Sequence, residues 1–228
     1  MKTLDLNVDI GEGFPCDDDL LQLATSANVC LGLHSGSPEL TRRTFEACRA
    51  AGVRIGVHPG YPDRDSLGRR PATRDEIRRW SPLMVDSLRA WVDEFQPAYL
   101  KPHGAFYNTL AESEEADDLL IALMAVCPEP RLIGLDSTRH RLLAVGHGWG
   151  FLREGFADRG YRADGTLIPR HEPGAILKDP DRIKHQILDL APKVDSLCLH
   201  GDTPGCLGYA EFVIRVLRDA GYQVGPSR

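Results

Sequence analysis

Short apolar segments alternate with longer amphipathic segments along almost the whole chain of 228 residues. The apolar segments have the length of buried strands, whereas the longer ones repeat their apolar residues at helical spacing. Strands that alternate with helices form βαβ units, in which the strands are parallel and share one sheet. The sequence therefore predicts an α/β protein with a parallel sheet.

Seven strands are predicted, over Leu4–Ile10, Asn28–Leu33, Val53–Val57, Ala98–Lys101, Arg131–Leu135, Gly150–Glu154 and Val194–Leu199. Helices are predicted over Asp17–Ser26, Pro38–Ala51, Thr73–Phe95, Glu114–Val126, Thr138–Gly146, Pro180–Ala191 and Cys206–Gly221. About seven strand–helix pairs fit either a (β/α) barrel or an open doubly wound sheet. The segment Phe156–Gly174 is rich in Asp, Arg, Gly and Pro, and this composition predicts a long functional loop.

The length and composition indicate one globular domain over residues 1–228. Hydrophobic residues make up 42% and charged residues 26%, as in average soluble domains, and α/β barrels of roughly this size fold as one unit. The first strand is not followed by GxGxxG, and the chain has no Walker pattern GxxxxGK[ST]. We therefore do not expect this chain to bind ATP alone through such loops.

Charge and cysteine content limit the kinds of molecule that this protein is expected to bind and the cell compartment in which it is expected to work. The 27 Lys and Arg against 33 Asp and Glu give a net charge of −6, without the basic stripe that nucleic acid binding needs. No apolar run reaches the roughly 18 residues of a membrane span, and the start lacks a signal-peptide core. The six cysteines have no CxxC spacing, so a zinc knuckle is not expected. We expect a cytoplasmic protein that binds neither nucleic acid nor membrane.

The most informative residues stand where the predicted strands end. Four of the eight histidines lie there, and each is followed within two residues by a glycine. Active sites of α/β folds form at the carboxyl ends of parallel strands, so we expect these side chains to converge. The polar residues at these ends are Asp9, Glu12, His34, His58, Lys101, His103 and His200.

Carboxylates, imidazoles and an ammonium group together can move protons and stabilise a developing oxyanion, as amide or ester hydrolysis requires. An aspartate with two histidines can also hold a divalent ion that activates water. Any single histidine could instead cap a strand or bind a buried carbonyl group. Arg69 and Arg70 could bind a carboxylate in bidentate fashion, or form a solvated pair on a loop.

Eight motifs, in the same order as in the family, show that the chain resembles the LamB/YcsF family of lactam-utilisation proteins. They cover the chain almost from end to end. The motifs are DLNVDIGE (Asp5–Glu12), TSANVCLGLHSG (Thr25–Gly36), VHPGYPD (Val57–Asp63), LGRR (Leu67–Arg70), LKPHGAFYN (Leu100–Asn108), FADRGY (Phe156–Tyr161), DGTLIPR (Asp164–Arg170) and CLHGDTPG (Cys198–Gly205).

The resemblance implies a parallel (β/α) barrel of about seven strands, like those of glycoside hydrolases and polysaccharide deacetylases. It also implies an activity, the ATP-dependent hydrolysis of the cyclic amide of 5-oxo-L-proline to L-glutamate, as the A subunit of a 5-oxoprolinase. In the family this activity requires subunits B and C. ATP is then the cofactor of the complete complex, and 5-oxoproline or a related lactam is the substrate.

Residues are assigned from the resemblance where the motifs match. The implied catalytic residues are Asp9, Glu12, His34, His58, His103 and His200, and the implied substrate-binding residues are Lys101, Arg69, Arg70 and Asp202. We expect a carboxylate or a histidine of this set to act as general base for water. The ammonium and guanidinium groups would bind the substrate carboxylate or a phosphate.

Two other functions stay open at this point. One is a metal-dependent deacetylase or amidohydrolase that acts without ATP, with zinc on Asp9, His34 and His58. A divalent metal is therefore considered, although no residue is assigned to one. The other is a non-catalytic protein of the complex that binds a small acid.

Overall fold

Seven parallel strands close into a barrel in the computed structural model, which describes residues 2–201 and 205–226. The barrel closes because β1 pairs on one side with β7 and on the other with β2. The predicted (β/α) barrel is therefore confirmed. The strands are β1 (Lys2–Ile10), β2 (Ser26–Cys30), β3 (Arg54–His58), β4 (Tyr99–Leu100), β5 (Arg131–Gly134), β6 (Gly150–Phe156) and β7 (Ser196–Leu199).

Helices follow the strands and cover the barrel. They are α1 (Asp17–Leu21), α2 (Pro38–Ala51), α3 (Arg74–Phe95), α4 (Gly104–Glu112), α5 (Asp117–Met124), α6 (Arg139–Gly146), α7 (Pro180–Leu190) and α8 (Cys206–Asp219). Local sequence sets their starts: the Ser37 hydroxyl accepts from the Leu40 amide, and Thr73 and Glu76 form a capping box. No helix in the ranges 2–201 and 205–226 is both long and apolar enough to cross a membrane.

Two elements were not predicted from the sequence, and helices α1 and α5 are each five residues shorter than predicted. Helix α4 and a short strand β8 (Tyr222–Val224), which pairs with the first residues of β1, were both missed. Helix α1 ends at Leu21 instead of Ser26, because the hydroxyl groups of Thr25 and Ser26 both donate to Asp5. Those hydrogen bonds fix the start of β2.

Strand β1 separates an apolar shell from a polar barrel axis. Successive side chains of a strand point to opposite faces, so alternate residues of β1 share one side. Asp5, Asn7 and Asp9 contact polar side chains of the neighbouring strand β2. The intervening side chains belong to the hydrophobic core beneath the helices, and they are Leu4, Leu6, Val8 and Ile10.

The base of the barrel axis is held by the buried Asp5 carboxylate. It accepts hydrogen bonds from Ser26 on β2 and Ser196 on β7, and its Oδ2 lies 3.1 Å from a guanidinium nitrogen of Arg54 on β3. One carboxylate thus joins four strands.

A glycine makes room for the layer above. A Cβ atom at Gly56 would lie 2.2 Å from the ring of Tyr99, whose hydroxyl donates to Asn28 at 2.7 Å. The tyrosine ring therefore crosses the barrel interior next to a residue that has no side chain. Polar strand ends above this layer are left to face the opening of the barrel.

Candidate active site

A cavity of about 520 Å³ opens at the carboxyl ends of the barrel strands. Strand ends, one face of α4 and the long segment after β6 all contribute to it. Its polar lining includes Asp9, Glu12, His58, Arg69, Lys101, His103, Asn108, Glu112, Arg159, Arg170, His171 and His200. The structure thus brings together six of the strand-end residues singled out from the sequence, and leaves His34 outside this lining.

The Lys101 ammonium lies at the floor of the cavity, almost fully buried. Its Nζ is 2.9 Å from Asp9 Oδ1, 2.9 Å from Glu154 Oε1 and 3.1 Å from Cys198 Sγ. Burial lowers the pKa of Lys101, but Asp9, Cys198 and Glu154 outweigh burial and hold that pKa well above its usual value. Burial raises the pKa of Asp9, which His58 and Lys101 nevertheless keep well below its usual value. The pair is therefore charged, and the ammonium already has protein partners.

Two histidines meet Glu12 beside this ion pair. His58 Nε2 lies 2.9 Å from His103 Nδ1, and Glu12 Oε1 lies 3.3 Å from the same His103 nitrogen. Asp9 Oδ2 is 3.5 Å from His58 Nε2. Burial, with further lowering by the imidazoles of His34 and His58, holds the pKa of His103 well below its usual value. His103 is therefore a neutral imidazole at pH 7.

His34 lies behind this group rather than on the cavity wall. Its ring stacks on His103 with centroids 3.9 Å apart, and its Nε2 is 3.3 Å from both Glu12 Oε1 and Cys30 Sγ. Burial lowers the pKa of His34, but Cys30 and Glu12 outweigh burial and raise it to about 9. The geometry gives His34 a supporting position next to His103 and Glu12.

On the opposite side of the cavity His200 is paired with Asp158. His200 Nδ1 lies 3.0 Å from Asp158 Oδ2, and the imidazole stacks on Phe156 with centroids 5.6 Å apart. A carboxylate only accepts, so Nδ1 carries a proton and Nε2 is the nitrogen left to take one from water. Burial raises the pKa of Asp158, yet His200 brings it below its usual value. This is the arrangement of a histidine oriented for general-base catalysis.

Cationic groups reach the cavity from two loops. Arg69 lines the cavity, whereas the Arg70 guanidinium lies at the surface, 2.9 Å from Glu76 and 3.1 Å from Asp63. The long segment after β6 adds Arg159 and Arg170 to the lining. The Arg159 guanidinium donates to the carbonyls of Ala175 and Ile168.

Several of these contacts were missed from the sequence, and one predicted residue lies outside the described part of the chain. Asp202, expected to bind substrate, is in the gap between residues 201 and 205. The pairing of Asp158 with His200 was not predicted from the sequence. Glu154 and Cys198 stand two residues before the cavity-lining residues Phe156 and His200, so a period of two counted back from these residues would have found them.

The similarity of the chain to known proteins extends over nearly its whole length. The model of the LamB/YcsF family matches residues 4–228. This chain belongs to the LamB/YcsF family. The chain is 38% identical to a relative from Chloroflexus aurantiacus and 35% identical to one from Histophilus somni. Each of these relatives is named as the A subunit of 5-oxoprolinase. Both matches cover 100% of each chain.

A solved structure of a relative has the same fold. The lactam utilization protein from Thermus thermophilus superposes on this LamB/YcsF chain with a TM-score of 0.82, at 29% sequence identity and with 99% of each chain covered. A protein with the same fold is thus named for lactam utilization.

Proposed function

We propose that this chain is the A subunit of an ATP-dependent 5-oxoprolinase, which hydrolyses the cyclic amide of 5-oxo-L-proline to L-glutamate together with subunits B and C. The observation that carries the proposal is the likeness, over the full length, to chains named as the A subunit of 5-oxoprolinase. The cavity supports it, because carboxylates, imidazoles and guanidinium groups suited to hydrolysis of a small acidic amide converge there.

ATP enters as a cofactor of the complete complex. The chain has neither of the glycine-rich phosphate-binding patterns, so the partner subunits would carry the phosphoryl transfer. Phosphorylation of the amide oxygen turns an unreactive lactam into an activated one. The barrel would then receive the activated ring and add water to it. The six cysteines are free thiols, which supports the proposed cytoplasmic location.

Substrate binding is assigned to the cationic side of the cavity. Arg69 and Arg170 lie on its wall, and Arg159 is fixed by two loop carbonyls. Guanidinium groups bind carboxylates and phosphates in bidentate fashion, and an activated lactam carries both anions. Lys101, by contrast, would act through Asp9, because its ammonium contacts Asp9, Glu154 and Cys198.

The general base is assigned to His200. With Nδ1 held by Asp158, the Nε2 nitrogen can take a proton from water as the oxygen bonds to C5 of the ring. The ring C–N bond then breaks and the nitrogen receives a proton, which opens the ring to an acyl phosphate of glutamate. A second water cleaves that acyl phosphate to glutamate and inorganic phosphate. Asp9 and Glu12 line the same cavity, and their negative charges favour the His200 imidazolium that forms. Asp158 stabilises this imidazolium directly through its contact with Nδ1.

Reconstitution tests the proposal. The chain is mixed with its partner subunits B and C, and release of ADP and of glutamate is measured against each component alone. We expect 5-oxoproline-dependent release of both products only from the full mixture. His200→Gln should lower kcat by about 100-fold or more, since it removes the base. Asp158→Asn should also lower kcat and should shift the pH profile, because it changes the partner of the imidazole.

The matched control is His185→Gln, which changes an exposed histidine on α7 and should leave kcat unchanged. Full activity of His200→Gln would contradict the assignment of the base. Lactam hydrolysis by the chain alone, without ATP, would favour the ATP-independent amidohydrolase instead. Binding of 5-oxoproline without turnover in any mixture would favour a non-catalytic role in binding a small acid.

A further inference from the structure

We propose that Glu12, His58 and His103 form a binding site for one divalent transition-metal ion of the Zn²⁺ type, with Asp9 at its edge. The proposal does not rest on the proposed lactam hydrolysis, because binding of the metal ion alone can be measured. It stands on the hydrogen bonds that fix the two imidazoles and on the distances between the ligand atoms.

Backbone carbonyls fix both imidazole rings in a defined tautomer. His58 Nδ1 lies 2.8 Å from the Lys101 carbonyl oxygen, and His103 Nε2 lies 2.9 Å from the Leu67 carbonyl oxygen. A carbonyl oxygen only accepts, so each of these nitrogens carries a proton that it donates. When both rings are neutral, the other two nitrogens, His58 Nε2 and His103 Nδ1, present lone pairs.

These two lone-pair nitrogens face each other at 2.9 Å. Two acceptors at that distance repel each other unless a positive centre lies between or beside them. Glu12 adds a carboxylate oxygen 3.3 Å from His103 Nδ1 and 4.0 Å from His58 Nε2. All three side chains are largely buried, with one side facing the cavity. Three convergent donors of electron pairs thus surround one point.

The spacing fits a tetrahedral zinc ion. With Zn–N and Zn–O bonds of about 2.0–2.1 Å, neighbouring ligand atoms lie roughly 3.3 Å apart. The three separations of 2.9, 3.3 and 4.0 Å lie around that value. Metal-binding histidines usually donate their other N–H group to a carbonyl or carboxylate, as His58 and His103 do here. Two imidazoles and one carboxylate leave a coordination position open.

A second group of potential ligands in the described part of the chain is less suitable. Asp9, Cys198 and His200 place ligand atoms within 4.8 Å of one another. The Lys101 ammonium, however, lies 2.9 Å from Asp9 Oδ1 and 3.1 Å from Cys198 Sγ, and its charge would repel a metal ion. The Glu12 group is better placed, since the cation next to Glu12 Oε1 is the His34 imidazole, 3.3 Å away, which can release its proton when a metal ion binds. The group can also share the second oxygen of Asp9, which lies 3.5 Å from His58 Nε2.

Metal titration of the purified full-length chain tests the site. The protein is stripped with a chelator, dialysed and titrated with Zn²⁺ by calorimetry, and Co²⁺ is used as a spectroscopic probe. We expect one tight Zn²⁺ per chain and Co²⁺ absorption bands of the strength that four- or five-coordinate sites give. His103→Gln and Glu12→Gln should each lower Zn²⁺ affinity by about 100-fold or more.

His185→Gln serves as the control, because this exposed histidine lies on the outer helix α7, and its loss should leave the affinity unchanged. Circular dichroism confirms that each variant is folded, and His58→Gln replaces any variant that is not. Zinc affinity unchanged in the folded His103→Gln and Glu12→Gln variants would overturn the proposal. So would the absence of tight Zn²⁺ binding, which would leave a shared proton between the two imidazoles. Neither result would bear on the reconstituted lactam hydrolysis.

Discussion

His140 shows how a single buried residue couples stability to pH. Its Nδ1 accepts from the Leu135 amide at 3.1 Å, and its Nε2 donates to the Tyr107 carbonyl oxygen at 2.9 Å. Both nitrogens are used, so a second proton would face the Leu135 N–H group. Burial accordingly lowers the pKa of His140 to about 4.

We expect His140 to destabilise the protein in mild acid. The unfolded chain takes up this proton near pH 6.5 and the native chain only near pH 4, so stability is lost as pH falls through that interval. Between pH 7 and about 4.5 the loss amounts to about 2 kcal/mol. Urea unfolding at both pH values should show this loss in the native protein and in the exposed-site control His147→Gln. His140→Gln should lose about 2 kcal/mol less over the interval, and an equal loss in all three proteins would contradict the assignment.

The positions of the site residues were easier to predict than their partners. His58 ends β3, and His103 and His200 follow β4 and β7 within three residues, so the sheet edge brings the three together. The sequence could not distinguish Arg69 from its neighbour Arg70, because the choice depends on Glu76 and Asp63, which hold the second guanidinium at the surface. The pairing of Asp158 with His200 spans 42 residues and depends on barrel closure.

At the scale of elements, α4 explains a limit of sequence-based prediction. The helix begins right after His103 without a side-chain cap, and its first residue, Gly104, has φ +56°. A helix that starts in this way has no N-terminal signal in the sequence. Strand β8 was missed for a different reason, since its three residues are recognisable only by their pairing with β1.

Gly104 is expected to be far less replaceable than a glycine in open space. A Cβ atom there would lie 2.6 Å from the Gly68 carbonyl oxygen, whereas Gly52, with φ +68°, has nothing within 4 Å. Gly52→Ala should cost about 1 kcal/mol for its backbone conformation alone. Gly104→Ala should cost about 3 kcal/mol, because the backbone around Gly68 must move. Thermal and urea unfolding of the two variants measures both losses of stability. Equal losses would show that the backbone near Gly68 moves away from the new Cβ atom at no cost in free energy.

At the scale of the whole molecule, Asp5 is the residue most tied to barrel closure. Its carboxylate joins β1 to hydroxyls on β2 and β7 and to the guanidinium of Arg54 on β3. Removing one member of a buried ion pair leaves the other charge without compensation, which typically costs about 3–5 kcal/mol.

Asp5→Asn should therefore lower the free energy of unfolding by about 3 kcal/mol. Glu94→Gln is the matched control, because it removes a surface ion pair with Arg42 in which both side chains are about half exposed, and it should change the free energy of unfolding far less than Asp5→Asn does. Urea unfolding followed by circular dichroism measures both. If the two variants lost the same free energy, the barrel base would not depend on this charge.

The polar axis of the barrel also protects β1 from mispairing. Asp5, Asn7 and Asp9 alternate with apolar residues that pack under the helices. If β1 slipped by one residue against its neighbours, three polar side chains would enter the apolar shell and four aliphatic ones would face Arg54 and Lys101. The side chains on both faces of the strand would then lie in unsuitable surroundings. The polar residues of β1 therefore also specify the register of the strand during folding. A shifted register is unfavourable on both faces of the sheet.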